Sequence, residues 1–129
     1  MSRWPEMRRR GIVSGGLGIV VLGFFGAAAS GAPTPAEAAR IERLIRYVEA
    51  KPELRFVRNG TDYSSADAGR FLRGKLDSMG GGVRTAQDFI DQIATKSSMS
   101  GEPYQIRFPD GRSVPAAQFL GEELRRMGR

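Results

Sequence analysis

Two apolar patterns divide this chain. From Ile12 to Ala29 the residues form an uninterrupted run without charge, whereas from Ile41 onward apolar positions recur at intervals with polar residues between them. In the second region Ile41, Leu44, Ile45 and Val48 follow the i, i+3, i+4, i+7 spacing of a single helix face. Glu42, Arg43, Arg46 and Glu49 fall on the other side, with Glu42 and Arg46 spaced to pair. Thr34-Pro35-Ala36-Glu37 supplies the start, with Thr34 as N-cap, Pro35 at the first helical position and Glu37 closing a capping box. Lys51-Pro52 ends this helix.

The pattern then changes period. Leu54-Arg55-Phe56-Val57-Arg58 alternates as a strand, and Asn59-Gly60 is a tight-turn signal. Ser64 or Ser65 caps a second helix with Ala68, Phe71, Leu72 and Leu76 on its buried face, and Gly80-Gly81-Gly82 stops it. Thr85 caps a third helix, with Asp88 at the boxed position and Phe89, Ile90, Ile93 and Ala94 inward. After the polar loop Ser97-Ser98-Met99-Ser100-Gly101, a strand places Tyr104, Ile106 and Phe108 on one face and Gln105 and Arg107 on the other. Asp110-Gly111 turns it, and Ser113 or Val114 leads into a final helix with Phe119, Leu120, Leu124 and Met127.

A faint repeat emerges: strand, x-Gly turn, capped start, then Phe71-Leu72 with Leu76 in the first copy and Phe119-Leu120 with Leu124 in the second. The turn-to-Phe spacing is 11 residues in one copy and 8 in the other, so the repeat is architectural. The expected fold is a small single α+β domain of about four helices on a two-stranded antiparallel β-ribbon, preceded by an N-terminal signal helix.

The uninterrupted run carries a different message. Arg3, Arg8, Arg9 and Arg10 precede it and Ala27-Ala28-Ala29 close it, which are the basic, apolar and small-residue parts of a bacterial-type export signal. Residues 1–29 are therefore expected to be a signal peptide cleaved between Ala29 and Ser30, residues 30–35 a flexible lead-in, and residues 36–129 the α+β domain. The expected destination is the periplasm. Its alternative is an inner-membrane anchor formed by residues 12–29, because the run approaches the roughly 20 residues that span a bilayer. Gly15, Gly16, Gly18, Gly23 and Gly26 dilute its hydrophobicity and favour cleavage. Arg9-Arg10-Gly11-Ile12-Val13 also fits part of a twin-arginine pattern, with Arg8 where Ser or Thr is usual.

Composition narrows the chemistry. The formal charge of +6 falls to +3 once Arg3, Arg8, Arg9, Arg10 and Glu6 are set aside with the signal. Nucleic acid is accordingly not an expected partner. Cysteine and histidine are both absent, which removes disulfides, signal-peptide lipidation, thiol nucleophiles, histidine triads and ordinary zinc sites.

Several segments together carry a family resemblance: Ile41-Glu42-Arg43-Leu44-Ile45, Phe56-Val57-Arg58-Asn59-Gly60 with Tyr63, and Leu72-Arg73-Gly74-Lys75-Leu76. Thr85-Ala86-Gln87-Asp88-Phe89-Ile90, Ser97-Ser98-Met99-Ser100-Gly101 with Pro103-Tyr104, and Phe108-Pro109-Asp110-Gly111 complete the set. In this ordered succession, over about residues 36–127, the chain resembles a family of short exported bacterial proteins catalogued as domain of unknown function 5329. The resemblance implies an exported protein of unassigned activity and supplies no catalytic residues.

Candidate chemistry is sparse. Arg55, Arg58, Arg70, Arg73, Arg107 and Arg112, with Lys75 among them, cluster on the two strand–turn–helix units and form a candidate anion-binding surface. Against it, intervening acids reduce the field, and arginine stems cover apolar edges. A second candidate is a polar site of Tyr63, Asp88, Ser97 and Ser98, the basis for a His- and Cys-free hydrolase or other enzyme using Asp, Tyr and Ser. Asp88 reads more simply as a cap and the serines as loop residues that satisfy carbonyls. Gly80-Gly81-Gly82 lacks the Lys-Ser/Thr ending of a phosphate loop. The expected function is a non-catalytic binding or scaffold module with no catalytic, cofactor or metal site, whose partner is an anionic envelope component or a protein. Membrane contact is expected only if the signal segment stays uncleaved, as in an accessory protein anchored to the inner membrane.

Overall fold

Thr34 begins the first helix in the way its sequence implies. In the computed structural model, which describes residues 31–128, Glu37 N–H donates to Thr34 Oγ1 (3.2 Å), Pro35 takes the first helical position, and α1 runs Pro35–Glu49. The signal-peptide and anchor readings of residues 1–29 lie outside the described residues. Glu37 does not spend its carboxylate on its own cap: Oε1 accepts the Ala86 N–H (2.8 Å), so α1 caps a helix 49 residues further along. Ile41, Leu44, Ile45 and Val48 are all buried, as their stripe requires.

The hairpins follow from their turns. β1 (Arg55–Arg58) and β2 (Thr61–Ser64) pair antiparallel around Asn59-Gly60, both of which have positive φ (52° and 79°), the geometry of a two-residue type I′ turn. A Cβ at Gly60 would meet open space, so Gly60→Ala isolates the backbone cost. Urea denaturation of that variant should show a loss of about 1–2 kcal/mol, the penalty for an L-residue in the left-handed region. Ser64 then caps α2 (Ser65–Met79) by accepting the Asp67 N–H at 3.1 Å, and Gly80 ends it with an N–H to Leu76 O. Thr85 caps the short α3 (Ala86–Gln92), beyond which Ile93 and Ala94 remain buried.

β3 (Gln105–Arg107) and β4 (Ser113–Pro115) form the second hairpin. Its loop closes through Phe108 N–H to Arg112 O (2.8 Å) and Gly111 N–H to Phe108 O (2.9 Å), with Gly111 at φ 91°. Chain continues directly into α4 (Ala116–Met127), which lacks a side-chain cap; Ala116 N–H is satisfied by Tyr104 O (2.9 Å) instead.

Here the expected two-stranded ribbon is corrected. The sheet has four antiparallel strands in the order β2-β1-β3-β4, joined at the centre by Phe56 opposite Ile106. The outer strands were hidden in the segments that read as helix caps: Ser64 ends β2, and Ser113 and Val114 both belong to β4. Each hairpin hands its chain to a helix, α2 packing on β1 and β2, and α4 on β3 and β4. Helix α1 lies against α2, α3 and α4.

The repeat is real at this level. Gly60 and Gly111 each precede the first residue of their helix by five positions, so the hairpin-to-helix step is the same in both units. Phe71 and Phe119 are not equivalent, because Phe71 sits three residues deeper into its helix. Three residues is close to one turn, so both rings still face the same way. Phe56, Tyr104, Phe89, Leu44, Leu72 and Leu120 head the fully buried side chains.

Candidate functional site

Alternation along β1 places Arg58 on the same face as buried Phe56, toward the helices rather than toward solvent. There its guanidinium lies over the rings of Phe71 (4.4 Å) and Tyr63 (5.1 Å) and donates to Tyr63 Oη (3.3 Å). Among the described residues its partners are thus rings and a hydroxyl, not a carboxylate.

Helix α2 contributes Lys75, which stands at i+3 from Leu72 and i+7 from Ala68 and so on the buried stripe. Lys75 is 7% exposed. Its Nζ donates to Lys96 O and to Tyr104 Oη, both at 2.8 Å, and sits 4.8 Å from the Tyr104 ring centre. Burial, aided by the Arg58 charge, pulls the Lys75 ammonium below its ordinary pKa. Burial also pushes the Tyr104 hydroxyl up, with Arg58 opposing.

The loop after α3 closes one side. Ser97 is buried, and its Oγ accepts from Met99 N–H (3.2 Å), Ser100 N–H (3.2 Å) and Asn59 Nδ2 (3.3 Å). Ser100 Oγ donates back to Asn59 Oδ1, so the first hairpin's turn and this loop are tied together. Gly101, at φ 77°, returns its N–H to Ser97 O (2.9 Å). Ser98 Oγ reaches only the Met79 sulfur (3.6 Å).

These parts enclose a groove of about 350 Å³ lined by Arg58, Phe71, Lys75, Ser97, Ser98 and Tyr104, with Arg70, Gly74, Ser78, Met79 and Met99 around them. No residue lining it carries a carboxylate. A second groove of about 440 Å³ lies between α1 and the end of α2, where Ile41, Leu76 and Val83 are joined by Glu42 and Asp77. Of its two acids, Glu42 is already held by Arg73 and Arg46, and the Arg73 hydrogen bond draws its carboxyl below its ordinary value. The first groove instead gathers cations without a lining carboxylate.

The six candidate arginines separate in the fold. Arg55 and Arg107 are cross-strand neighbours on the outer face, where Arg107 pairs with Asp62 and Arg55 donates to the Pro52 and Leu54 carbonyls. Arg70 pairs with Asp67, Arg112 with Asp110, and Arg73 with Glu42 and Glu49. Arg58 lines the groove without such a pair, and Arg70 reaches its rim.

Of the polar set, Ser97 and Ser98 line the groove, whereas Tyr63 stands behind Arg58. Asp88 accepts the Arg84 N–H (3.0 Å) at the head of α3 and lies outside the groove. A tyrosine, a carboxylate and a serine therefore do not converge there. Lys75 donates to Lys96 O and Tyr104 Oη rather than to either serine. Of the residues that do meet, Lys75 belongs to the basic candidate set, and Tyr104 is expected on the inward face of its strand.

The model of a family described as "Family of unknown function (DUF5329)" matches residues 35–128 of this chain. Among curated proteins, the chain is similar to "Uncharacterized protein YfeK" of Salmonella typhimurium (strain LT2), at 40% identity over 68 residues. That match covers 53% of this chain and 57% of the relative, so the chain spans little more than half of that protein's length. No solved structure matches.

Proposed function

The chain belongs to this family of unknown function, and we propose that it is an exported, non-catalytic binding domain that takes up an anionic group between Lys75 and Arg58. A single observation carries the reading: a lysine buried to 7% exposure faces a groove without a carboxylate and shares it with a second unpaired cation. A buried charge is costly unless paired; Lys96 O and Tyr104 Oη satisfy two of the ammonium's donors but carry no charge, and an anionic ligand oxygen supplies the counter-charge. Export rests on the arginine-flanked apolar run Ile12–Ala29, and mass spectrometry of the envelope protein should find Ser30 as the first residue.

Sulfate tests the site because its charge is constant across neutral and alkaline pH. Titrated at constant ionic strength, it should shift the amide resonances of Lys75, Ser97, Ser98 and Tyr104, with a Kd of millimolar order, about 4 kcal/mol. Shifts spread evenly over the surface arginines would defeat the reading. Affinity should also fall as pH rises. Lys75 is faced by Arg58 and Tyr63 from the first hairpin, by Tyr104 beside β3, and by Arg70 with its Asp67 on α2. Burial holds the Lys75 ammonium below its ordinary value and the Tyr104 hydroxyl above its own, so rising pH discharges the ammonium while burial opposes ionisation of its tyrosine partner. Sulfate binding is therefore strongest below the Lys75 pKa and is lost through the alkaline range below about pH 10.4.

A further inference from the structure

Among the described residues, the exposed large hydrophobic side chains are Met79 (52%) and Met99 (95%). Both line the same groove as Lys75 and Arg58. Met79 ends α2 and Met99 tops the 97–101 loop, so two segments 20 positions apart each bring a flexible thioether to one rim. Half-buried Phe71 and bare-backed Gly74 continue the apolar lining between them and the cations.

Buried Lys75 and half-buried Arg58 are the least exposed cations of the groove, and the exposed Met79 and Met99 share its rim with Ser78, Ser98 and Arg70, the last already paired with Asp67. From this arrangement, and resting on the anion reading above, we propose that the ligand is a small amphiphilic anion: a carboxylate head on an unbranched aliphatic chain. The head meets Lys75 Nζ and the Arg58 guanidinium. The chain lies along Phe71 and Gly74 and leaves between Met79 and Met99, whose unbranched side chains adapt to a partner without a fixed shape. A groove of about 350 Å³ is of small-molecule size, which favours a free monoacyl anion over a folded partner.

The test is a series of acetate, butyrate, hexanoate and octanoate, all below micellar concentrations, titrated into the full chain and followed at the same amide resonances. Kd should fall about twofold per added methylene, half of the roughly fourfold that full burial of a methylene gives. In the Met79→Ser/Met99→Ser double variant most of that chain-length gain should vanish. Both residues are exposed, and retained cooperative thermal unfolding shows that the variant is folded.

Sulfate binding with a flat carboxylate series overturns the amphiphile proposal and leaves the anion reading standing. No localised shift with sulfate overturns the anion reading itself. Octyltrimethylammonium binding as tightly as octanoate overturns both, because the groove is then only an apolar patch. Co-sedimentation with phosphatidylglycerol vesicles, without a preference for octanoate over acetate, replaces the free ligand with a membrane surface. A chain-length gain that survives in the double variant also overturns the proposed path of the tail.

Discussion

Phe56→Ala is expected to lower the free energy of unfolding by about 3–5 kcal/mol, the usual cost of deleting a buried aromatic ring. Phe56 is 2% exposed and occupies the centre of the sheet, with Tyr63 opposite it on β2 and Ile106 opposite it on β3. Its ring packs against Tyr104 at 5.1 Å and Phe71 at 6.0 Å, and those two meet edge-on at 5.6 Å. Removing it opens a cavity where the two hairpin units join, and no neighbour is free to fill it without leaving its own contacts. Small domains have roughly 5–15 kcal/mol in total, so the variant should approach marginal stability. Urea denaturation should show a lower midpoint at unchanged slope. A loss below about 1 kcal/mol would mean that this ring is not the keystone of the sheet. Since Tyr104 positions Lys75, sulfate affinity should weaken in the same variant even where it remains folded.

Lys75→Met is the second large expected effect, on binding rather than folding. A hydrogen bond to a charged group is worth about 1.5–3 kcal/mol, so sulfate affinity should drop roughly 10- to 150-fold. Met preserves the apolar stem that packs on α2's buried face while removing the ammonium. Stability should move by only about 1 kcal/mol, because two terms oppose. The cost of burying a cation disappears, but Lys96 O and Tyr104 Oη lose their donor.

A pH profile separates these roles. In the native protein the Lys75 pKa lies below its unfolded value, so the unfolded chain binds more protons across that interval and stability rises with pH there. Below the folded pKa the penalty is fully present; above about pH 10.4 this contribution is complete. Tyr104, pushed up by burial, acts oppositely, and its stabilisation is lost above its unfolded value near pH 10. The stability rise attributable to Lys75 therefore occupies the alkaline range below about pH 10. Lys75→Met should abolish it. If the rise persists in the variant, Lys75 is not its source.

Much of the fold was legible because its signals are local. The caps Thr34, Ser64 and Thr85, the positive-φ turn at Asn59-Gly60 and the stripe Ile41-Leu44-Ile45-Val48 each act within a few residues. β2 and β4 were not legible. They are short edge strands, four and three residues long, with a single half-buried side chain apiece, Tyr63 and Val114. That is too little alternation to compete with the helix starts that follow at once. The capping box at Glu37 was half right, because an acceptor with a free choice took the donor that tertiary packing brought to it.

The sequence by itself determined the helices, the two turns, the α+β class and a chain without thiol or imidazole chemistry. Tertiary structure alone decided that Arg58 lines a groove without an acid. Arg70, Arg73, Arg107 and Arg112 look equivalent to Arg58 along the chain, yet each finds a carboxylate, in two cases on a distant segment. The groove needs Arg58, Lys75, Ser97 and Tyr104 together, and its hydrogen bonds span 21, 29 and 38 residues. Periodicity records which face of an element is apolar. It holds no information about which other face will meet it, and the charge balance of a buried site depends on that meeting.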